Sequence, residues 1–542
     1  MFLCTGRVEG IMTSLWFHGG VETVGGNCII VEEGSHAIML DCGMNFTDDG
    51  SFYKDFLKPR ETNDMRDLLA LGLVPRIPGV YARDMITDPA IQKVDVKARY
   101  MHTASLESYE EFVDRTGSPR IDALFLTHAH VDHARNLAFL APQIPVYLSG
   151  LTRILLKVMG EVTSGNDLAK FCTYQLGSYG GMSYFPGGTK KEKVCKDRDL
   201  RVVDPGQVIT IGPFSVTGHP VDHSIPGAMA YEVLTTSGKR IVYTGDLRFH
   251  GVEHEKITSR AFVDTIAERD KVDALITEGT RIDSMQGSSE QDVVNKALAA
   301  ITGTPGAADR PIFAMFPWKS VARFLSLYKV ARALNRAVAI QPKLAYLLHA
   351  VQGTPIVLGT NVLRNENIRI YQPRKLSMLY EDGDYIFLKA AISTDVNWNK
   401  ETQDYKFYRD LYGRDKLVRA SEIHEHPERF ITQLDFYDLN ELIDIDAPPG
   451  GTCFLMKTEP FDDDGNIERK VLDNWMTRFG LRLVEAHSSG HASGTDLVAM
   501  IERIKPKLLI PIHTEASESF GGKISPGIPV LERLERDKPV VI

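Results

Sequence analysis

The chain contains no uninterrupted apolar run of about eighteen residues, the length that a membrane-crossing helix requires. Its start, Met1-Phe2-Leu3-Cys4-Thr5-Gly6-Arg7, lacks the basic-then-apolar order of a secretory leader, so no membrane partner is expected and the chain reads as cytoplasmic. Cysteine is scarce. Cys4, Cys28, Cys42, Cys172, Cys195 and Cys453 form no CxxC pair, which leaves no cysteine-based zinc or redox motif, and they read as reduced, mostly buried thiols. A basic excess is also missing: 62 Lys+Arg against 71 Asp+Glu give a formal net charge of −9. Binding of nucleic acid through overall charge is thereby excluded, although a local groove or bound cations can still attract phosphates. The short basic runs Lys190, Lys191 and Arg198, Arg201 read as solvated loop charges before they read as binding patches. No internal repeat or low-complexity tract occurs. What is present is ordinary for a large globular protein: 542 residues, 43% hydrophobic and 25% charged, with room for about two to four domains.

The chemistry is concentrated in one turn. Thr127-His128-Ala129-His130-Val131-Asp132-His133 follows the apolar run Ile121-Asp122-Ala123-Leu124-Phe125-Leu126, so three imidazoles and a carboxylate leave a buried strand together. Borderline divalent metals such as zinc take this mixture of nitrogen and carboxylate oxygen, and the spacing offers ligands for two ions. The plain alternative is a solvated histidine-rich turn. There the imidazoles would repel one another if protonated, and each would need its own partner if buried neutral.

Other strands end in similar residues. Ala37-Ile38-Met39-Leu40 delivers Asp41, Arg240-Ile241-Val242-Tyr243-Thr244-Gly245 delivers Asp246, and Ala274-Leu275-Ile276-Thr277 delivers Glu278. His223 lies in Gly218-His219-Pro220-Val221-Asp222-His223, His491 in His487-Ser488-Ser489-Gly490-His491-Ala492, and His513 in Leu509-Ile510-Pro511-Ile512-His513. In a layered α/β protein, strand ends open onto one crevice, where ligands distant in sequence can meet. This order of motifs resembles the metallo-β-lactamase superfamily, and Glu278, His491 and His513 look like motifs A, B and C of its β-CASP nucleases, the ribonuclease J group in particular. The resemblance covers Asp41 to His513, and a histidine at the last motif leans towards RNA rather than DNA.

The resemblance implies an αββα metallo-β-lactamase sandwich with an inserted β-CASP α/β domain. It also implies two zinc ions per chain, with manganese or magnesium as alternatives. His128, His130 and His223 would hold one ion, Asp132, His133 and His513 the other, and Asp246 would bridge them; such a pair supplies a water acidified enough to attack a phosphodiester. His491 is the candidate proton donor or phosphate contact. Glu278 and Asp41 complete the catalytic set by orienting histidines. His487, Ser488, Ser489, Gly490 and His491 precede an expected helix whose amides would receive a phosphate, an ordinary helix cap being the alternative. Pro317-Trp318-Lys319-Ser320 offers a stacking ring and a cation, against the plainer reading of a core Trp318 and an exposed Lys319. His219, His250, His254 and His349 are left as non-ligands.

Glycine-punctuated short strands are expected over 11–44, a helix over 134–141 and a glycine-rich mobile loop over 177–188. From 281 the pattern alternates: strand 311–316, helix 320–334, strand 337–340, helix 343–351, the signature of a parallel sheet. The expected division is 1–280 for the first part of the lactamase-like domain, 281–455 for the β-CASP domain and 456–542 for the returning C-terminal part with its RNA-metabolising motif. Residues 45–118 are expected as an insertion, longer than ordinary loops. Twenty-nine residues follow His513, which leaves a homodimer without the C-terminal domain that many relatives of this type use. The expected function is a zinc-dependent ribonuclease on single-stranded RNA, a 5′-to-3′ exonuclease with endonuclease activity in reserve. A metallo-hydrolase for DNA or a small phosphodiester or ester, and a non-catalytic RNA-processing scaffold, are the competing readings.

Overall fold

The computed structural model describes residues 12–53, 57–58, 60, 64–87, 91, 94–162, 171–175, 178–179, 182–183, 195–285, 287–354, 362–374, 411–457 and 463–542. Two sheets face each other. The first runs in the order Leu200–Val202, Val146–Leu148, Ala123–Phe125, His36–Leu40, Cys28–Glu33, Thr13–Gly19, Pro539–Val541. The second runs Val208–Ile211, Phe214–Pro220, Met229–Thr235, Arg240–Tyr243, Ala274–Glu278, Leu509–Ile512. Alternation along each strand sorts the side chains: Ile29, Val31, Ile38 and Leu40 pack inward against Val216, Tyr231, Ile241 and Ile276, while Ile30 and Met39 face the other way. Helices Glu253–Ala267 and Gly494–Ile504 cover the outer face of the second sheet through Phe262, Ile266, Leu497 and Ile501. The expected αββα sandwich is the observed fold.

The outer face of the first sheet is covered from within the stretch 45–118. Helix Asp64–Leu71, the turn Arg83–Ile86 and the residues between them bury Met65, Leu69, Ile77, Val80, Tyr81 and Met85. This stretch is therefore a helical layer carrying part of the core. The helix expected over 134–141 is mostly a tighter 3-10 turn, Arg135–Phe139, after the short helix Val131–Ala134. Asn136 explains the change: its amide bonds to Cys42 O at 2.9 Å and its side chain to Gly43 O, which pulls the turn onto the neighbouring strand end.

A third sheet is wholly parallel: Leu417–Val418, Ile368–Tyr371, Ala337–Ile340, Phe430–Leu434, Ile312–Met315, Thr452–Leu455, Arg482–Glu485. Helices Val321–Ala333 and Pro342–Ala350 match the expected spans closely. The boundary expected at 455 does not hold. Arg482–Glu485 pairs with Thr452–Leu455, so the sheet takes in helix Asp463–Arg478 and ends at Glu485. The amphipathic helix and its strand repeat the α/β alternation of the preceding residues, and an edge strand needs a partner on only one side.

Arg198 is not a surface charge. It is 5% exposed and donates to Leu140 O at 3.0 Å and Ala138 O at 2.9 Å, while Arg201 pairs with Asp199 at 2.6 Å. Lys190 and Lys191 lie outside the described residues. So does most of the expected loop 177–188, whose described parts, Ser178–Tyr179 and Met182–Ser183, form a two-stranded ladder. No helix among the described residues is long and apolar enough to cross a membrane.

Phe125 stands at the centre of the sandwich, stacked on Tyr147 at 4.9 Å and edge-on to Tyr231 at 5.4 Å. Phe125→Ala should destabilise the chain by about 3–5 kcal/mol, read as a lowered midpoint in urea titration. A midpoint within error of the parent would remove this residue from the core account.

Candidate metal centre

The strands His36–Leu40 and Ala123–Phe125 run parallel, as do Arg240–Tyr243, Ala274–Glu278 and Leu509–Ile512. The residues that follow or close each strand therefore emerge at one edge of each sheet, and the two edges meet. Two four-residue groups result: His128, His130, His223 and Asp246, then Asp132, His133, Asp246 and His513. Asp246 belongs to both. His130 Nδ1 lies 3.0 Å from both His128 Nε2 and His223 Nε2, with Asp246 Oδ2 at 3.8 Å from each of the latter two. Asp246 Oδ2 lies 3.1 Å from His133 Nε2, and Asp132 Oδ2 lies 3.9 and 3.7 Å from the Nε2 atoms of His133 and His513. Donors around a tetrahedral zinc sit about 3.3–3.6 Å apart, so both groups have the right scale.

The chemistry of these atoms asks for cations. Both oxygens of Asp246, His133 Nε2 and His513 Nε2 are buried without a hydrogen-bond partner. A buried carboxylate left so would cost several kcal/mol, and adjacent nitrogen lone pairs repel unless something positive lies between them. Burial first, then neighbouring imidazoles, push His128 well below its ordinary pKa and, together with Lys319, push His130 below it too. Neutral imidazole is the ligating form. The residues present therefore fit a metal cofactor.

A layer of hydrogen bonds aims these ligands. Asp41 takes φ 57° at the end of its strand, a left-handed conformation that turns its carboxylate inward. There it accepts from Thr127 N at 2.7 Å, Thr127 Oγ1 at 2.8 Å and Tyr243 OH at 2.6 Å, and meets His133 Nδ1 at 2.7 Å. Asn27 Nδ2 donates to Tyr243 OH at 2.9 Å, and Asn27 Oδ1 meets His513 Nδ1 at 3.1 Å. Asp41, Tyr243 and Asn27 thus join His133 to His513, leaving both Nε2 atoms for metal. Sequence reasoning missed Asn27 and Tyr243: Asn27 directly precedes the strand Cys28–Glu33 and Tyr243 closes Arg240–Tyr243, where only a lone polar atom beside an apolar run hints at a task. Glycine makes the approach of these elements feasible. A Cβ on Gly43 would lie 1.6 Å from Asp132 O.

Glu278 and His491 sit beside the groups and belong to neither. His491 Nδ1 lies 2.9 Å from Glu278 Oε2 and 3.2 Å from Thr280 Oγ1, and its side chain keeps 21% exposure against 1% for Asp246. Burial pushes the His491 imidazole down, but Glu278 and Asp246 outweigh it and leave it raised to about 9. His223 Nδ1 meets Gly490 O at 2.7 Å, so the carbonyl before His491 orients a ligand. Ser488 Oγ and His487 Nε2 are buried without partners. The helix expected directly after this segment starts later, at Gly494, and Ser493 caps it. The amides of Ser488 to Gly490 are therefore not helix-start donors, because the turn at Ala492 and Ser493 intervenes. Trp318 packs on the core, as in the plainer reading, whereas Lys319 is half-buried instead of exposed. Burial lowers the Lys319 ammonium while the charge of Asp132 supports it, which sets the cation beside the second group. His219 pairs with Glu232 and His349 with Tyr412, away from the groups.

Comparison with known proteins agrees with this geometry. Residues 104–312 match the family described as Beta-lactamase superfamily domain, and residues 481–524 match the Zn-dependent metallo-hydrolase RNA specificity domain. Ribonuclease J of Mycoplasma genitalium is 22% identical over 513 residues, covering 93% of this chain and 68% of that protein. Ribonuclease J of Sinorhizobium meliloti is 24% identical over 432 residues, 76% of this chain and 62% of that protein. The chain carries a β-lactamase superfamily domain and is ribonuclease J-like over most of its length. A solved structure from Enterococcus faecalis, titled a protein of unknown function, shares the fold with a TM-score of 0.65 at 23% identity over 98% of this chain and 100% of that one. The two domain matches and the ribonuclease J relatives together support a metal-dependent hydrolase, and this ribonuclease J-like protein spans about two thirds of the relatives' length.

Loss of the Asn27 side chain should loosen His513 without removing any ligand. Asn27→Ala is expected to weaken metal binding by about tenfold to a hundredfold in competition with a chromophoric chelator. Unchanged affinity would mean that His513 holds its orientation without Asn27.

Proposed function

We propose that the chain hydrolyses phosphodiesters of single-stranded RNA with two divalent ions, working from the 5′ end towards the 3′ end. The observation that carries this is the pair of ligand groups sharing Asp246, with His491 at their exposed rim. Imidazole-rich groups favour zinc over magnesium, with manganese able to substitute. Bound there, two such ions supply an acidified water and neutralise phosphate charge. The remaining work falls to the protein.

His128, His130 and His223 would hold one ion and Asp132, His133 and His513 the other, with Asp246 common to the two groups. His491, aligned by Glu278, donates a proton to the departing 3′ oxygen or a hydrogen bond to the scissile phosphate. Lys319 adds a fixed positive charge beside Asp132, which helps a chain of net charge −9 to seat a polyanion. Ser488 Oγ and the Nε2 proton of His487, unpartnered in the protein, are donors for a terminal phosphate. The RNA specificity domain over 481–524 and the ribonuclease J relatives support RNA as the substrate. We divide the chain into a lactamase-like unit, 1–280 with 486–542, and a third-sheet unit, 281–485, corresponding to the β-CASP domain. A cleft between two units admits a single strand more readily than a duplex.

Purified protein should contain close to two divalent ions, and His130→Ala should lose metal and activity together. His491→Ala should keep both ions yet hydrolyse end-labelled RNA about a hundredfold or more slowly. Loss of metal in that variant would make His491 a ligand. A 5′-monophosphate RNA should be degraded to mononucleotides faster than its triphosphate or hydroxyl counterparts; equal rates with internal fragments only would replace the exonuclease reading with an endonuclease.

A further inference from the structure

Two arginines from different units meet beside the His491 loop. Arg323, 3% exposed, lies on helix Val321–Ala333 of the third-sheet unit. Its Nε donates to Glu290 Oε2 at 3.1 Å and its Nη2 to Glu290 Oε1 at 3.1 Å and Ser488 O at 2.9 Å. Its Nη1 donates to Met456 O and to His487 Nδ1, the latter at 3.2 Å. A guanidinium has five N–H groups, and all five are spent here. Arg248, 1% exposed, follows Asp246 by two residues. It donates through Nε to Asp222 Oδ1 at 2.7 Å and through Nη1 to Glu290 Oε1 at 3.3 Å and Ser489 O at 3.2 Å. Glu290, the first residue of helix Glu290–Thr302, is thus shared by both guanidiniums and also accepts from Ser326 Oγ at 2.7 Å.

Stability alone is a poor reason for this cluster. Buried ion pairs cost so much desolvation that apolar side chains of similar volume often stabilise a fold as well or better. What the cluster does provide is position. The carbonyl of Ser488 is held by Arg323, that of Ser489 by Arg248, and that of Gly490 meets the ligand His223 at 2.7 Å. The residue after them is His491. Because a guanidinium only donates, the contact with His487 also makes its Nδ1 an acceptor and places its proton on Nε2.

We propose that Arg323, acting with Glu290 and Arg248, is a positioning residue through which the third-sheet unit sets His491 against the ligand groups. With no donor left over, Arg323 touches no phosphate itself. The inference rests on the reading of the chain as an RNA phosphodiesterase in which His491 acts.

The test is Arg323→Lys in the full chain, which keeps the charge and removes the planar fork. Metal content should stay at the parent value, and kcat on 5′-monophosphate RNA should fall about tenfold to a hundredfold with KM changed less than about threefold. In a His491→Ala background the same substitution should cost less than about twofold, because its effect is exerted through His491. Amide hydrogen exchange over 486–493 should quicken about tenfold or more, while the strand Ile368–Tyr371 keeps its protection. If Arg323→Lys does not fold, Glu290→Gln should give the same pattern. Full additivity with His491→Ala, exchange unchanged over 486–493, or faster exchange throughout the third sheet would each overturn the proposal. A parent protein inactive on RNA with every metal would overturn the functional reading instead, and the exchange measurement would still decide whether Arg323 positions the loop.

Discussion

One buried carboxylate organises this protein. Asp246 is 1% exposed, neither oxygen is hydrogen-bonded, and imidazoles surround it on both sides. Cations would complete such a cluster. The sandwich is the means of assembling it. Strand ends gather at one edge of each sheet, so four separate segments can each contribute to the groups without any of them being long or irregular. The strain needed is local, at Asp41 and His513, whose φ angles of 57° and 53° bend the chain back towards the site just past their strands.

Around the ligands lies a layer that decides how well they work. Asp41, Tyr243 and Asn27 tie two of them together from below, and Gly490 and Glu278 tie His223 and His491 from the side. These contacts come from both sheets and from the returning C-terminal segment, so the centre is complete only when the chain has left for the third sheet and come back. The net charge of −9 makes sense in this setting. On the proposed function, attraction for a polyanion would be concentrated at the two ligand groups and Lys319, and the rest of the surface would have no need of it.

Much of the site was legible in the sequence because metal chemistry restricts residue types. His128, His130, Asp132 and His133 crowd a single turn, and Asp246 and His513 each follow an apolar run, so pattern and composition mark the same positions. Readings that depend on where a segment ends were less secure. The third sheet continues to Glu485 rather than 455, since edge pairing of Arg482–Glu485 leaves no trace in local hydrophobicity. The helix expected directly after His491 starts at Gly494, where the side chain of Ser493 caps it. Arg198 resembled a loop charge and is instead a buried brace for two carbonyls.

The sequence by itself determined the inventory of candidate ligands, the strand-and-helix alternation and the family resemblance, all of which are set by local residue type and spacing. Only the tertiary structure decided which histidine nitrogen faces the metal groups, which side chains brace them, and that Arg323 and Arg248 reach one loop from two units. Those outcomes depend on distances between residues hundreds of positions apart, such as Asn27 and His513. Hydrogen bonds weaken steeply with small errors of distance and angle, and nothing in a local pattern specifies either.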